Sequence, residues 1–363
     1  MRPAENLQPL RLYSVLNGAV RRRVYLQERM AEQPALTLNG ARERPAPSRI
    51  RDLRDGIVAG VFGVRERERR QKRNGEDFLQ LALADATGSV RAISWDEVAE
   101  RHRIAAPGSV VWVRGDYRVD ERYGATLTVR ELRAADPDEY EPADLIGHPR
   151  VPVERLEADL RALIATVQKP ALRLLLERFF APRSPTWPRF RAAPAAKYYH
   201  QAYPHGLLDH TLSVAEAVSA VASAFPGIDR DIAVAGALLH DVGKTEAYND
   251  DPLAIDLTDA GRLHGEIPLG YYLVRREIER IDGFDTELAL AILHIVLSHH
   301  GTLENGSPVV PCTREATLVH AIDNLGGKLG SFDRIERELA HGEAWSRFDR
   351  GIDASAYFAS RAA

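Results

Sequence analysis

The sequence predicts a protein of two unlike domains, a five-stranded β-barrel followed by an all-α domain. Three observations carry that reading. Between residues 56 and 129 apolar side chains recur at every second position in short runs separated by turn formers, the period of half-buried strands. From Leu156 they recur at every third and fourth position, the period of amphipathic helices. Nine of the twelve histidines lie between His200 and His320, so the helical half also holds the chemistry.

At 363 residues the chain exceeds one typical domain and can bury two cores. Hydrophobic residues at 45% and charged residues at 28% exclude global disorder, and no apolar run approaches the ~20 residues that span a bilayer. A net charge of −4 gives the whole chain no attraction for nucleic acid, so such contacts must come from a local patch. The single cysteine, Cys312, excludes an internal disulfide framework and is expected as a small apolar filler beside Pro311. With no secretory signal, the expected location is the cytoplasm, and no membrane contact is expected. Residues 1–48 have weak periodicity and end in Arg42-Glu43-Arg44-Pro45-Ala46-Pro47-Ser48, which reads as a flexible leader in which Met30 is a second candidate start.

The barrel is expected over residues 49–136. Its strands are 57–64, 78–83, 90–95, 109–115 and 126–129, with turns at Asn74-Gly75, Thr87-Gly88 and Pro107-Gly108. A short helix at 97–103 falls between the third and fourth strands, which is the strand plan of an OB-fold. The first spacer, residues 65–73, is the most basic stretch of the chain and is expected as a loop beside the face on which single strands lie. Arg69, Lys72 and Arg73 would meet phosphates there, and Phe78, Trp95 and Tyr123 would stack bases. The competing reading makes the loop merely solvated and the aromatics core.

Pro142, Pro149 and Pro152 mark a helical linker over 137–195. The all-α domain follows over 196–332, and the tail, 333–363, is expected to hold one short charged helix. Within the domain an ordered series of metal-ligand types stands out: His210, His240-Asp241, His264, His299-His300 and Asp323. His240-Asp241 closes a helix over 232–239 and is followed by Val242-Gly243-Lys244, where the glycine is expected to stop the helix and turn Lys244 back toward the ligands. His299-His300 end a helix over 286–298, and Asp323 sits on a helix over 316–325, one turn after His320. Imidazole suits Mn, Fe, Co, Ni or Zn, and a carboxylate can bridge two cations. Two such cations would lower the pKa of a bound water and stabilise charge on phosphoryl oxygens, the chemistry of phosphoester hydrolysis. Asp241 and Lys244 are the expected catalytic residues, and Lys244 would add positive charge at the phosphate. His294, His320, His200 and His205 are expected around the ligands or against substrate, His205 among the substrate contacts.

The series His210, His240-Asp241, Asp323 resembles the signature of the HD phosphohydrolase superfamily, and His264 with His299-His300 resembles its bimetal branch. Where HD-GYP domains carry a GYP motif this chain reads Gly301-Thr302-Leu303-Glu304, which tells against hydrolysis of cyclic dinucleotides of that kind. The order barrel, helical linker, HD domain is similar to the YhaM-type 3′-to-5′ exoribonuclease family. So are the stretches Ala193-Pro194-Ala195-Ala196-Lys197, Leu297-Ser298-His299-His300-Gly301 and Ile322-Asp323-Asn324. The likeness covers about residues 50–330, and it departs before the first metal histidine, where His205 takes the first place of the family's paired glycine.

The resemblance implies a divalent-metal exonuclease, Mn2+ first with Fe, Co or Zn as alternatives, that shortens single-stranded RNA, and single-stranded DNA as a second polymer, from the 3′ end to nucleoside monophosphates. His210, His240, Asp241 and Asp323 would hold one ion, Asp241 would bridge, and His264, His299 and His300 would hold the other. Two other readings fit the same series: a phosphohydrolase of free nucleotides or cyclic dinucleotides with a regulatory barrel, and a non-catalytic RNA-binding protein braced by a structural metal.

Overall fold

A computed structural model of the chain describes residues 49–120, 124–198, 201–339 and 342–359. The expected leader, Met30, Tyr123 and His200 lie outside the described residues. The barrel comprises β1 (Gly56–Gln71), β2 (Asp77–Asp85), β3 (Gly88–Ser94), helix α1 (Val98–Ile104), β4 (Val110–Asp120) and β5 (Gly124–Ala134). It closes in the order β1-β2-β3-β5-β4, with β3 and β5 parallel and the other pairs antiparallel. This is the OB-fold. Alternate residues point inward, so Phe62, Val64, Leu79, Leu81, Leu83, Val111, Val113 and Leu127 fill the interior. Losing one such leucine to alanine typically costs about 2–5 kcal/mol. Opposite the bulge at Arg130 of β5, a Cβ on Gly115 would stand 2.2 Å from the Thr128 carbonyl oxygen, so only glycine lets the two strands approach there. Arg101, buried on α1, donates to Ser94 Oγ at 2.8 Å and to the Arg130 carbonyl at 2.8 Å, tying the helix across the barrel end.

The basic spacer is not a loop. β1 runs through it to Gln71, pairing Arg67 with Leu81, Arg69 with Leu79 and Gln71 with Asp77. The turn shrinks to Lys72–Glu76, with Gly75 at φ +86°. The physical reason is that the β2 ladder satisfies the backbone of residues 66–71, while the long Arg and Glu stems carry their charges to solvent.

The helical part contains α2 (Pro142–Leu145), α3 (Val153–Ala165), α4 (Pro170–Phe180), α5 (Trp187–Ala192), α6 (Gly206–Ala222), α7 (Arg230–Leu239) and α8 (Lys244–Ala247). It continues with α9 (Asp259–His264), α10 (Glu266–Glu279), α11 (Thr286–Ser298) and α12 (Arg314–Glu338). Side-chain caps start several of these: Asp229 accepts from Asp231 and Ile232 N–H, Asp285 from Leu288 and Thr313 from Ala316. α3, α4 and α5, expected as a linker, share one core with the following helices. Leu160, Leu172, Phe179 and Phe190 pack with Leu208, Val218, Leu238, Val274 and Ile295. The buried Asp231 carboxylate accepts from the N–H groups of Gln168 and Lys169 at 2.7 and 2.8 Å, pinning the α3–α4 corner to α7.

Two further expectations are corrected. The tail is not a single helix: α12 extends to Glu338 and a hairpin follows, β6 (Trp345–Asp349) with β7 (Ala354–Tyr357). Cys312 is exposed, not an apolar filler, because its loop is held by backbone rather than by packing: the Cys312 N–H donates to His294 Nε2 at 2.8 Å. Between barrel and helices, Lys197 Nζ lies 2.7 Å from Glu66 on β1 and 3.1 Å from Asp256, and the Tyr198 hydroxyl donates to the same Glu66. No helix among the described residues is long and apolar enough to cross a membrane.

Candidate metal centre

Six of the seven expected ligands meet. His210 projects from the second turn of α6, His240 and Asp241 follow the last residue of α7, His299 and His300 follow α11, and Asp323 lies midway along α12. His210, His240 and Asp323 offer ligand atoms within 4.8 Å of one another, and Asp241, His299 and His300 do the same. The two groups share a wall. Asp241 Oδ2 lies 3.3 Å from His210 Nε2 and 3.3 Å from His240 Nε2, whereas its Oδ1 lies 3.5 Å from His299 Nε2. Asp323 Oδ1 closes the first group at 3.0 Å from His210 Nε2 and 3.7 Å from His240 Nε2. One carboxylate thus presents an oxygen to each group, the disposition of a bridging ligand.

Helix ends fix the imidazoles. The last carbonyls of an α-helix lack intrahelical partners. His240 Nδ1–H donates to the Ala237 carbonyl at 2.6 Å, and His299 Nδ1–H to the Val296 carbonyl at 2.9 Å. A carbonyl can only accept, so these bonds select the tautomer whose Nε2 lone pair points into the centre. His240 Nε2, His299 Nε2 and Asp241 Oδ1 are buried with no protein hydrogen-bond partner. Leaving each such atom unpaired costs about 1–3 kcal/mol, and one cation in each group would satisfy all three. Imidazole nitrogens with carboxylate oxygens are the donor set of a divalent transition metal, so the residues fit the group.

The electrostatics agree. Burial alone depresses a histidine, yet the carboxylates of Asp241 and Asp323 outweigh it, raising His210 and pushing His240 up to about 10. Burial alone would raise Asp241, but the neighbouring charges of Lys244 and His240 outweigh it and hold its carboxyl well below the usual range. Without a cation His210 and His240 favour the protonated form, because two carboxylates stand beside them.

Other expected residues divide. Lys244 Nζ lies 2.7 Å from Asp241 Oδ2, both side chains buried, so its charge holds the shared carboxylate as well as bordering the cleft. That cleft, about 420 Å³, is walled by Lys244, His300, His320, Asn324, Lys328 and Arg350, among others. The structure does not bring His264 to either group. Gly265, at φ +76°, turns the chain between α9 and α10, leaving His264 exposed and carrying Glu266 inward, with Oε1 3.7 Å from His300 Nδ1. Glu266 is the acidic residue that sequence reasoning missed, and its one signal is an acidic residue just after a glycine at a helix start. His205 is not at the cleft: it sits at φ +68° before α6, its Nδ1–H donating to the Arg191 carbonyl at 2.7 Å. His294 braces the Cys312 loop, and His320 Nδ1–H donates to the His299 carbonyl at 2.7 Å.

Gly243 does not stop a helix. Its φ of −65° and ψ of −21° are helical, and it is small because α10 passes against it. On the barrel, Arg69 is paired with Asp77, and Lys72 lies 3.0 Å from Glu76, so neither is a bare phosphate site. Arg73 is exposed on the turn. Phe78 and Trp95 stand outside the barrel core with ring centroids 5.0 Å apart, Trp95 is 41% exposed, and Lys72 Nζ lies 5.1 Å from the Trp95 ring. That is a surface platform.

The HD domain family model matches residues 207–327, the segment that holds all six converging ligands. The chain is 32% identical over 279 residues to the 3′-5′ exoribonuclease YhaM of Geobacillus sp. (strain WCH70), covering 76% of this chain and 83% of that one. To the 3′-5′ exoribonuclease YhaM of Bacillus subtilis (strain 168) it is 31% identical over 276 residues, covering 76% and 86%.

Proposed function

Because the chain belongs to the YhaM family of 3′-5′ exoribonucleases, we propose that it hydrolyses single-stranded RNA from the 3′ end, releasing nucleoside monophosphates in a divalent-metal-dependent reaction. The observation that carries this reading is the Asp241 carboxylate turned toward both ligand groups beside a cleft bordered by Lys244, Lys328 and Arg350. His210, His240, Asp241 and Asp323 would hold one ion, and Asp241, His299 and His300, with Glu266 in the place expected for His264, the other. When bound, such a pair, Mn2+ first with Fe, Co or Zn also suited to these donors, supplies Lewis acidity at the phosphoryl group and a hydroxide at neutral pH.

The chain's own residues do the rest. Lys244 clamps Asp241 Oδ2, so the shared carboxylate keeps its orientation when a polyanion enters. Cationic and amide side chains of the cleft, Lys328 and Asn324, hold phosphate oxygens without reading a base. The Phe78–Trp95 platform gives every base a face to stack on, worth about 1–3 kcal/mol per base, so the barrel retains RNA and tolerates single-stranded DNA. Joining platform and cleft in one chain raises the strand's effective concentration at the centre.

The test is direct. RNA labelled at its 5′ end, incubated with the protein and Mn2+, should shorten to a ladder from the 3′ end. Asp241→Ala should abolish the ladder while RNA binding persists. Turnover of mononucleotides with none of oligomers, or cleavage that survives chelation, overturns the proposal.

A further inference from the structure

The C-terminal hairpin lies beyond the HD match and contributes to two cavities at once. Its turn is fastened to α12 by Arg334 Nη2, 2.6 Å from Asp349 Oδ2, and is held in shape by the Gly351 N–H donating to Asp349 Oδ1 at 2.8 Å within the turn. Gly351 packs closely against α12, where a Cβ would stand 2.6 Å from Ser331 Oγ. Fastened so, the turn sets Arg350 and Gly351 in the wall of the metal cleft, beside Lys328. Among the described residues no carboxylate pairs with Arg350 or Lys328.

The other face of the hairpin borders a cavity of about 550 Å³ against the barrel rim. It is lined by Arg51, Arg54, Arg337 and Arg347 together with the carboxylates of Asp55 and Glu343. Arg347 reaches the barrel itself, its Nη1 3.7 Å from where a Cβ on Gly124, the first residue of β5, would stand. In an OB-fold the loop between the fourth and fifth strands borders the strand-binding face. The hairpin therefore spans from that end of the barrel to the metal cleft, with an exposed arginine at each station and Phe348, 63% exposed, between them.

We propose that this hairpin is the RNA guide between barrel and metal centre: Arg350 positions a backbone phosphate near the 3′ end, and Arg347 holds the strand upstream. The proposal rests on the exoribonuclease reading, so binding is measured separately from cleavage. Arg350 is a positioning residue, acting on substrate phosphate rather than on the metals, and a guanidinium–phosphate contact is strong enough for its loss to be read kinetically.

The experiment uses the full chain with Mn2+ and two substrates, a trinucleotide and an oligoribonucleotide of about 16 nucleotides, the upper site size of one such barrel. Arg350→Ala should raise KM about tenfold on both, with kcat nearly unchanged, the loss of one charge-assisted contact. It should also reduce the slope of log affinity against log salt by about 0.7, the value for one phosphate contact on a single strand. Arg350→Lys should recover most of the KM, which a purely structural role would not produce. Arg347→Ala should raise KM on the long substrate alone. Fluorescence anisotropy with the same RNAs reads both variants even if the chain cleaves nothing, so a failed nuclease reading does not hide the guide. An unchanged salt slope in Arg350→Ala, a fall in kcat with KM unmoved, or equal effects of Arg347→Ala on both lengths overturns it.

Discussion

Replacing Gly243 by alanine sets two local effects against each other. The backbone there is helical, so alanine fits the conformation and helix propensity favours it by about 1 kcal/mol. Sterics oppose it. The new Cβ would stand 2.0 Å from the Glu266 carbonyl oxygen, 2.4 Å from Gly270 N and 2.9 Å from Gly270 Cα, all backbone of α10 with no side chain to swing aside. Reaching an ordinary contact of 3.4 Å requires the start of α10 and the turn after His240-Asp241 to separate by about 1.4 Å. Overpacking of this kind costs about 1–3 kcal/mol, so a net loss of about 0–2 kcal/mol remains, at most a few degrees in Tm. The larger consequence is functional, because Glu266 sits at the contact and Asp241 two residues before it. A misplacement of about 1 Å near reacting groups costs about a hundredfold in rate. Gly243→Ala should therefore lose about two orders of magnitude in kcat/KM on labelled RNA, with Tm only slightly reduced. A variant that keeps its kcat/KM within about threefold and melts higher would show that propensity wins and that the close approach does not set the geometry of the centre.

Three further outcomes are expected. Glu266→Ala should lower the bound metal found by elemental analysis and His264→Ala should not; the opposite order would return His264 to the ligand set. At position 205, glycine should be more stable than alanine by about 1 kcal/mol in urea unfolding, since alanine keeps the left-handed φ penalty and both lose the bond to the Arg191 carbonyl. Equal stability would remove backbone strain from the account. On pH, burial pushes the Glu157 carboxyl up, but hydrogen bonds from Arg191 and Arg161 outweigh it and leave its pKa below 4.5. The stabilisation is therefore complete above the ordinary glutamate range and is lost as pH falls below about 4.5 toward the folded value. Glu157→Gln should lose about 1 kcal/mol at neutral pH, a figure discounted for the exposed arginines, and flatten this part of the acid limb; an unchanged limb refutes the assignment.

How far the sequence reached differs by feature. The barrel was legible because apolar alternation is local: each strand's inward face can be counted without knowing its neighbours. The helix over Thr286–Ser298 and the ends at His240 and His299 were legible for the same reason. The extension of β1 through residues 65–71 was not, since a run of Arg and Glu looks like a solvated loop until β2 takes up its backbone hydrogen bonds. The hairpin after α12 gave little warning either, because its aromatics Trp345, Phe348 and Tyr357 are exposed and leave no buried stripe.

At the centre, the residue types and their order along the chain were enough to select metal chemistry, because imidazole and carboxylate carry their ligand character wherever they stand. Tertiary structure alone decided which of them meet. The turn at Gly265 leaves His264 exposed and sets Glu266 beside His300, the approach of α10 gave Gly243 its purpose, and the fastening of Asp349 to Arg334 brought Arg350 from the tail to the cleft. Ligand chemistry is a property of one side chain, whereas convergence depends on the directions in which helix ends and turns release the backbone, and those are set by packing between segments far apart in the chain.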